Sequence, residues 1–461
     1  MIRLEDINEK IIKAEYAVRG SVVNRAQELE QEGRSIIYCN IGNPHTFKQR
    51  PLTYVREVLS LLEFPKLLSE AAAASIFHSD SIARAKYIFS QIPEGVGAYT
   101  PSAGIQFIRE AVAEFIAKRD DIPADSSRIL LTDGASKAAQ AVIQSLIKSP
   151  NHGIMVPVPL YPLYSATLTL LDGAKIDYYL DEANNWQLDV EELEESLVHA
   201  KSRGIIPVAI TVINPGNPTG AVLTHENIQM VIDFASRHNL AIIADEVYQN
   251  NIYGSRSFHS FAKVMHQSKV QDVSLFSVYS MSKGYFGECG HRSGYLEARN
   301  VDDDVFTQFV KLQSINLCAN AVGQLATYLM VTPPKPGDAS YELYEAEKQQ
   351  ILKDLKEKSQ IIGNELNKIP GISVSYPEGA MYAFVKLDLP ISDNVDIIPE
   401  DEKYCLALLE DTGICVVPGS GFGQYPGTLH FRTTFLPSRE EIVDLVSRLK
   451  KFHISYANPH S

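Results

Sequence analysis

Lys283 sits in Ser280-Met281-Ser282-Lys283-Gly284-Tyr285, and Arg292 follows nine residues later. Upstream lie Asp245-Glu246-Val247-Tyr248 and Asn214-Pro215-Gly216-Asn217-Pro218-Thr219-Gly220. Together they supply an amine that can condense with an aldehyde, a carboxylate, a phenol, an amide and a guanidinium. A heteroaromatic aldehyde cofactor with a phosphate group needs such a set: a covalent anchor, a partner for its ring nitrogen and an anion clamp. Lys283 alone is an ordinary lysine in a small-residue loop; its companions give it a chemical reading.

A lysine attacks an aldehyde as the neutral amine, and Ser280, Ser282 and Gly284 leave space beside it. Asp245 follows the apolar run 240–244, so its carboxylate closes a strand. There it could keep a pyridine nitrogen protonated or simply cap a helix. Tyr248 and Asn217 could both meet a phenolate oxygen; a core tyrosine and a plain turn are the alternatives. Gly134-Ala135-Ser136-Lys137 opens a helix after a strand, which turns backbone N–H groups and the Ser136 hydroxyl toward an anion. Ser280 and Arg292 would complete such a clamp. Arg432 lies among strand-like residues in His430-Phe431-Arg432-Thr433-Thr434, so it pairs with something. A carboxylate ligand and an internal salt bridge fit equally at this point. Gly419-Ser420-Gly421-Phe422-Gly423 is followed by Gln424-Tyr425-Pro426 rather than by a helix, which disfavours a nucleotide loop. Cys289-Gly290-His291 has no further ligands and reads as incidental.

These groups need a scaffold that gathers distant segments. Apolar runs at 128–132, 153–158, 207–213, 240–245 and 273–280 read as strands, and 137–147 and 226–237 read as helices. Strands alternating with helices predict a mostly parallel, doubly wound sheet, with ligands at the carboxyl ends of its strands. Residues 104–120 carry apolar side chains at helical spacing. The prolines of 333–338 mark a linker before a long helix over 341–366. The expected division is an N-terminal segment 1–65 packing with the small domain or a partner subunit, a large domain 66–335 and a small domain 336–461.

The 461 residues include 42 Lys plus Arg against 56 Asp plus Glu, a net charge of −14, which disfavours a nucleic-acid binder. Five scattered cysteines without a C-x-x-C fit a reduced compartment, and no histidine pair has metal-ligand spacing, so no metal is expected. No apolar run is long enough to span a bilayer. The first ten residues carry both signs of charge, unlike a signal or transit peptide, so a cytoplasmic protein is expected.

The pattern resembles the fold-type-I, pyridoxal-phosphate-dependent aminotransferases of class I/II, and among them the eukaryotic-type alanine aminotransferases. Residues 16–20, 39–44, 131–137, 156–166, 214–220, 245–249, 282–290, 378–384 and 417–424 carry the likeness, which runs from Tyr16 to Phe452. It implies an α/β fold with a seven-stranded, mostly parallel sheet flanked by helices, plus a smaller α+β domain. It implies pyridoxal 5'-phosphate bonded to Lys283, with Asp245 at the ring nitrogen, Asn217 and Tyr248 at the phenolate oxygen and Tyr161 stacked on the ring. Ala135, Ser136, Ser280 and Arg292 would hold the phosphate, joined by Tyr99 from the partner of a homodimer with shared sites. Arg432, with Gly42 near it, would clamp the substrate α-carboxylate. Arg19, in a segment that could reach the neighbouring site, is the candidate for the distal carboxylate of glutamate. The implied reaction moves an amino group between L-alanine and 2-oxoglutarate, giving pyruvate and L-glutamate. Glyoxylate or aromatic substrates, a lyase on the same fold, and a non-enzymatic effector domain are the alternatives. Met281 and His291 depart from the family's usual residues; neither touches a proposed chemical group, and their effect on substrate preference is left open.

Overall fold

The computed structural model describes residues 1–390 and 398–457. Seven strands form the large sheet: β1 (Ile129–Thr132), β2 (His152–Val158), β3 (Ala174–Tyr179), β4 (Ile206–Ile213), β5 (Ala241–Asp245), β6 (Leu275–Ser280) and β7 (Gly294–Arg299). Their order is β1-β7-β6-β5-β4-β2-β3. All neighbours are parallel except β7, which runs antiparallel to both β1 and β6. Helices cover both faces, so the central strands are apolar throughout rather than alternating. Successive residues still point to opposite sides: Ile242 and Ala244 enter one core, and Ile243 enters the other.

The carboxyl ends of β4, β5 and β6 meet at one edge. The backbone N–H of Asn214, just past β4, donates to the carbonyl of Asp245 at 2.9 Å. Strands β3 and β7 were not legible as runs in the sequence. β3 is only part-buried and includes Lys175 and Asp177, and β7 carries Glu297 and Arg299, paired with each other at 2.5 Å.

A second sheet, fully antiparallel, has the order β10-β11-β9-β8, with β8 (Ile372–Val374), β9 (Tyr382–Leu387), β10 (Val417–Pro418) and β11 (Leu429–Thr434). The 26-residue helix Tyr341–Leu366 leads into it, Glu400–Thr412 packs on it, and Arg439–Ala457 packs against both of these helices. The N-terminal stretch divides between two cores. Val22, Val23, Ala26 and Leu29 of helix Ser21–Gln31 pack with Leu408, Leu409 and Ile414, and Ile37–Tyr38 pairs in parallel with Ile414–Cys415. Helix Thr53–Glu63 instead packs with Ile108, Val112, Leu325 and Leu329 beside the large sheet. Within the stretch 336–461, residues 391–397 and 458–461 lie outside the described residues. No described helix is long and apolar enough to cross a membrane.

Candidate active site

A cavity of about 640 Å³ opens between the strand ends of the large sheet and the second sheet. Its wall includes Lys283, Asp245, Tyr248, Asn217, Tyr161, Ser280, Ala135, Ser136 and Arg292, and also Arg432, Gly42 and Arg19. Residues far apart in the chain thus share one chamber. Tyr99 does not line it and is 80% exposed. Arg19 lines the cavity of its own chain.

Asp245 is buried at the end of β5. Its carboxylate accepts from the Tyr164 hydroxyl at 2.8 Å and more weakly from the Val247 N–H at 3.4 Å. It forms no ion pair within 4 Å among the described residues. Burial pushes its pKa up to about 6, against the hydrogen bonds from Tyr164 and Val247 and the charge of Lys283. A carboxylate held this way calls for a cationic partner inside the cavity.

The Lys283 ammonium donates to the carbonyl of Gly42 at 2.6 Å and stands 5.8 Å from the Tyr248 ring centroid. Gly42 must lack a side chain: a Cβ there would overlap the Tyr382 hydroxyl and lie 3.0 Å from Lys283 Nζ. The Tyr382 and Tyr248 hydroxyls are 3.4 Å apart. Burial acts to raise the Tyr382 pKa, but Lys283 and Arg432 outweigh it and the phenol is shifted down.

The helix Ala135–Leu146 starts at Gly134, with φ 81°, and no side chain caps it. Its first N–H groups are therefore open to an anion. Arg292 lies beside this turn, and a Cβ on Gly134 would come within 2.6 Å of its Nη2. The guanidinium donates to the carbonyls of Cys289 and Asp133 at 3.0 and 3.3 Å. The Ser280 hydroxyl lies 2.9 Å from Ser282 Oγ and 3.0 Å from the Ser293 carbonyl.

Arg432, on β11, is 1% exposed. It donates to Asn217 Oδ1 at 3.0 Å and to the Asn40 carbonyl, and its Nε has no partner. Its guanidinium lies 4.1 and 4.6 Å from the ring centroids of Tyr382 and Phe422. No carboxylate pairs with it among the described residues, so the internal salt bridge that the sequence left open is not there. A buried guanidinium bonded only to neutral oxygens is an anion receptor.

Sequence reasoning missed Tyr16, Tyr164, Tyr382 and Cys289. The Tyr16 hydroxyl meets that of Tyr161 at 2.6 Å. Tyr16, Tyr164 and Tyr382 all lie inside the likeness-bearing strings, which was the available signal. Cys289 lines the cavity, with its thiol on the Ser282 carbonyl at 3.1 Å. Met281 and His291 do not line the cavity. Met281 is buried in a helical core, and His291 bonds Glu288 at 2.9 Å.

The donors fit one group. An orphaned carboxylate suits a protonated ring nitrogen, an uncapped helix start beside Arg292 suits a phosphate, and the Lys283 amine suits an aldehyde. An open α/β sheet with this set at its strand ends defines an enzyme of the pyridoxal-phosphate fold type I. The chain belongs to the family described as aminotransferase class I and II, which matches residues 77–449. It is a pyridoxal-phosphate-dependent aminotransferase.

The chain is 47% identical to "Alanine aminotransferase 1, mitochondrial" of Arabidopsis thaliana, over 99% of this chain and 87% of that protein. It is 43% identical to "Glutamate--glyoxylate aminotransferase 2" of the same plant, over 99% of this chain and 97% of that protein. Among solved structures, an alanine aminotransferase from Pyrococcus furiosus superposes with a TM-score of 0.80 at 27% identity, covering 97% of this chain and 100% of that one. The cytoplasmic expectation is overturned: four relatives at 43–47% identity bear mitochondrial names. Charge in residues 1–10 describes that segment, not the compartment where the fold works.

Proposed function

We propose that this aminotransferase moves an amino group from L-alanine to 2-oxoglutarate, giving pyruvate and L-glutamate. The observation that carries the reading is a pair of guanidiniums on the cavity besides Arg292. Arg432 is buried and Arg19 stands on the rim, and neither has an ion pair among the described residues. One arginine can take the α-carboxylate of every substrate, and the second can take the distal carboxylate present only in the five-carbon pair. Relatives named alanine aminotransferase at 43–47% identity support the same pair.

In this reading Lys283 would anchor the cofactor covalently. Asp245 would pair with its ring nitrogen, and Asn217 and Tyr248 would meet its phenolate oxygen. Tyr161 would face its ring, and Ala135, Ser136, Ser280 and Arg292 would hold its phosphate. The bound cofactor supplies an electron sink for the pair left when Cα loses its proton. Arg432 and Asn217 fix the α-carboxylate and so turn the Cα–H bond toward Lys283. The Lys283 amine would take that proton at Nζ. The Gly42 carbonyl orients Nζ for the transfer. The rings around Arg432 keep water from the carboxylate clamp.

Two further parts belong to the reading. The enzyme is a homodimer in which Tyr99 reaches the partner's phosphate site. Support comes from the exposure of Tyr99, Ile315 and Leu317 on one side of the chain, where Ser102 donates to the Leu317 carbonyl. The chain divides into segment 1–65, a large domain 66–335 and a small domain 336–461. The two separate sheets support that division, with helix Thr53–Glu63 assigned to the large core.

An absorbance spectrum before and after L-alanine tests the core of the proposal. A visible cofactor band that shifts on adding alanine, and is missing in Lys283→Ala, is expected. A band unaffected by Lys283→Ala refutes the role of Lys283. The glutamate–glyoxylate relatives favour a second reading, exchange with glyoxylate. A panel of donors with 2-oxoglutarate and glyoxylate separates the two by kcat/KM.

A further inference from the structure

The loop after β3 is closed on itself. Asp181 N donates to the Gln187 carbonyl at 3.0 Å, and Trp186 N donates to the Asp181 carbonyl at 2.7 Å. The Asp181 side chain caps the turn through Ala183 N at 3.0 Å. Asn185 and Trp186 have φ 52° and 59°, in the left-handed region that a bulky side chain seldom adopts. This conformation presents two groups to the second sheet: the Glu182 carboxylate and the indole of Trp186, the single tryptophan of the chain.

Glu182 reaches two residues of that sheet. Its Oε2 accepts from Lys386 Nζ at 2.9 Å, and its Oε1 faces His430 Nε2 at 3.1 Å. Lys386 and His430 are directly opposed across β9 and β11, so their side chains share one face. The other ring nitrogen of His430 faces Gln424 at 3.1 Å, and its side chain is 1% exposed. This is therefore no loose surface pair. The next opposed pair on the same face is Phe384 and Arg432. The His430 ring stacks on Phe384 at 4.6 Å with an interplanar angle of 3°. Phe384 meets Phe422 at 6.1 Å, and Phe422 lies under the Arg432 guanidinium. Trp186 packs edge-on against both Phe384 and His430, at 5.7 and 5.9 Å.

We propose that Glu182 is a positioning residue for Arg432: it clasps the second sheet to the large one through Lys386 and His430, and the ring stack carries that position to the carboxylate clamp, with Trp186 reporting on it. The inference rests on the reading of Arg432 as the α-carboxylate receptor. The clasp touches no reacting atom. It sets the height of a guanidinium that both substrates use, so losing it weakens both alike.

The experiment uses the cofactor-loaded full-length enzyme. Glu182→Ala is expected to raise KM for L-alanine and 2-oxoglutarate by the same factor, roughly tenfold, with kcat within about threefold. Glu182→Gln keeps the shape and one acceptor, and roughly a threefold rise in both KM values is expected. The cofactor band is expected to stay unchanged in both variants. Propionate, a monocarboxylate that Arg432 can hold, should alter Trp186 emission in the wild type. The midpoint of that change should move to roughly tenfold higher propionate in Glu182→Ala. KM values within about 1.5-fold of wild type in Glu182→Gln overturn the proposal even where Glu182→Ala does not fold. So does a rise for one substrate alone, a fall in kcat alone, or wild-type emission indifferent to propionate. Failure of the parent reading looks different: Arg432→Lys would then leave KM for both substrates near the wild-type values, whereas failure of the clasp alone leaves Arg432→Lys impaired and Glu182→Gln unaffected.

Discussion

Replacing Asp245 with asparagine should push stability and activity in opposite directions. The carboxylate is buried, bonded to one hydroxyl and one distant N–H, and without a cation within 4 Å among the described residues. Its pKa rises from 3.8 to about 6, chiefly through burial. Roughly two units at 1.36 kcal/mol each make the ionised form about 3 kcal/mol less favourable in the folded, cofactor-free protein than in the unfolded chain. Asparagine keeps an acceptor for Tyr164 and carries no charge, so cofactor-free Asp245→Asn should be more stable by about 1–3 kcal/mol at pH 7.5. The pH dependence fixes the sign. A carboxyl with a raised folded pKa binds more protons folded than unfolded between about pH 4 and 6, so wild-type stability falls as pH rises through that window and is level above it. The advantage of the variant should therefore be full above about pH 6 and vanish near pH 4. Urea unfolding of both cofactor-free proteins at pH 4.5, 5.5 and 7.5 measures this. With cofactor bound the order reverses: the amide cannot hold the ring nitrogen protonated, and turnover should fall on the order of 10²–10³-fold. A variant less stable than wild type by more than about 1 kcal/mol at pH 7.5, or one whose advantage grows as pH falls, refutes the claim that this carboxylate lacks its partner in the empty pocket.

Arg432→Lys loses the planar fork that engages Asn217 and the Asn40 carbonyl, and kcat/KM should drop about 10²–10³-fold for alanine and 2-oxoglutarate alike in steady-state assays. Arg19→Ala should raise KM for glutamate and 2-oxoglutarate roughly tenfold or more while leaving alanine within about threefold; equal losses remove Arg19 from the distal-carboxylate role. Inactive Lys283→Ala and impaired Tyr99→Ala subunits, unfolded and refolded together in equal amounts, should recover on the order of a quarter of wild-type activity, because half the dimers would carry one intact site. Activity no higher than the mean of the two parents means that Tyr99 does not serve a neighbouring site.

The parts of the fold legible in sequence were those with burial on both faces. Runs such as 240–245 and 207–213 are continuous in apolar residues because helices cover both sides of β5 and β4. β3 and β7 escaped because their charged residues pair locally and interrupt the run. Lys283, Asp245 and Asn217 stood out through neighbours in sequence. Tyr164 lay in the likeness-bearing run 156–166, but its task did not show there, since its hydroxyl is delivered by folding to Asp245, 81 residues away. Arg432 shows the limit most clearly. Its flanking residues predicted burial, but the choice between salt bridge and ligand clamp turned on which residues fill the space around it. The effect of Met281 and His291 stayed open for the same reason: adjacency to Lys283 and Arg292 in the chain says nothing about which side of the strand or turn they take.

Gly42 sets a limit on how this pocket can change. Its carbonyl steadies the Lys283 amine, and its missing side chain is the space used by the Tyr382 hydroxyl. Substrate range in such an enzyme can be widened at the rim, where Tyr16 and Arg19 stand, by altering side chains one at a time. At position 42 even a methyl group would displace the tyrosine and crowd the lysine together. Variants selected for new substrates should therefore accumulate changes in the N-terminal segment and leave residue 42 untouched, so that divergence in specificity and constancy of chemistry are recorded some two dozen residues apart along the same stretch of chain.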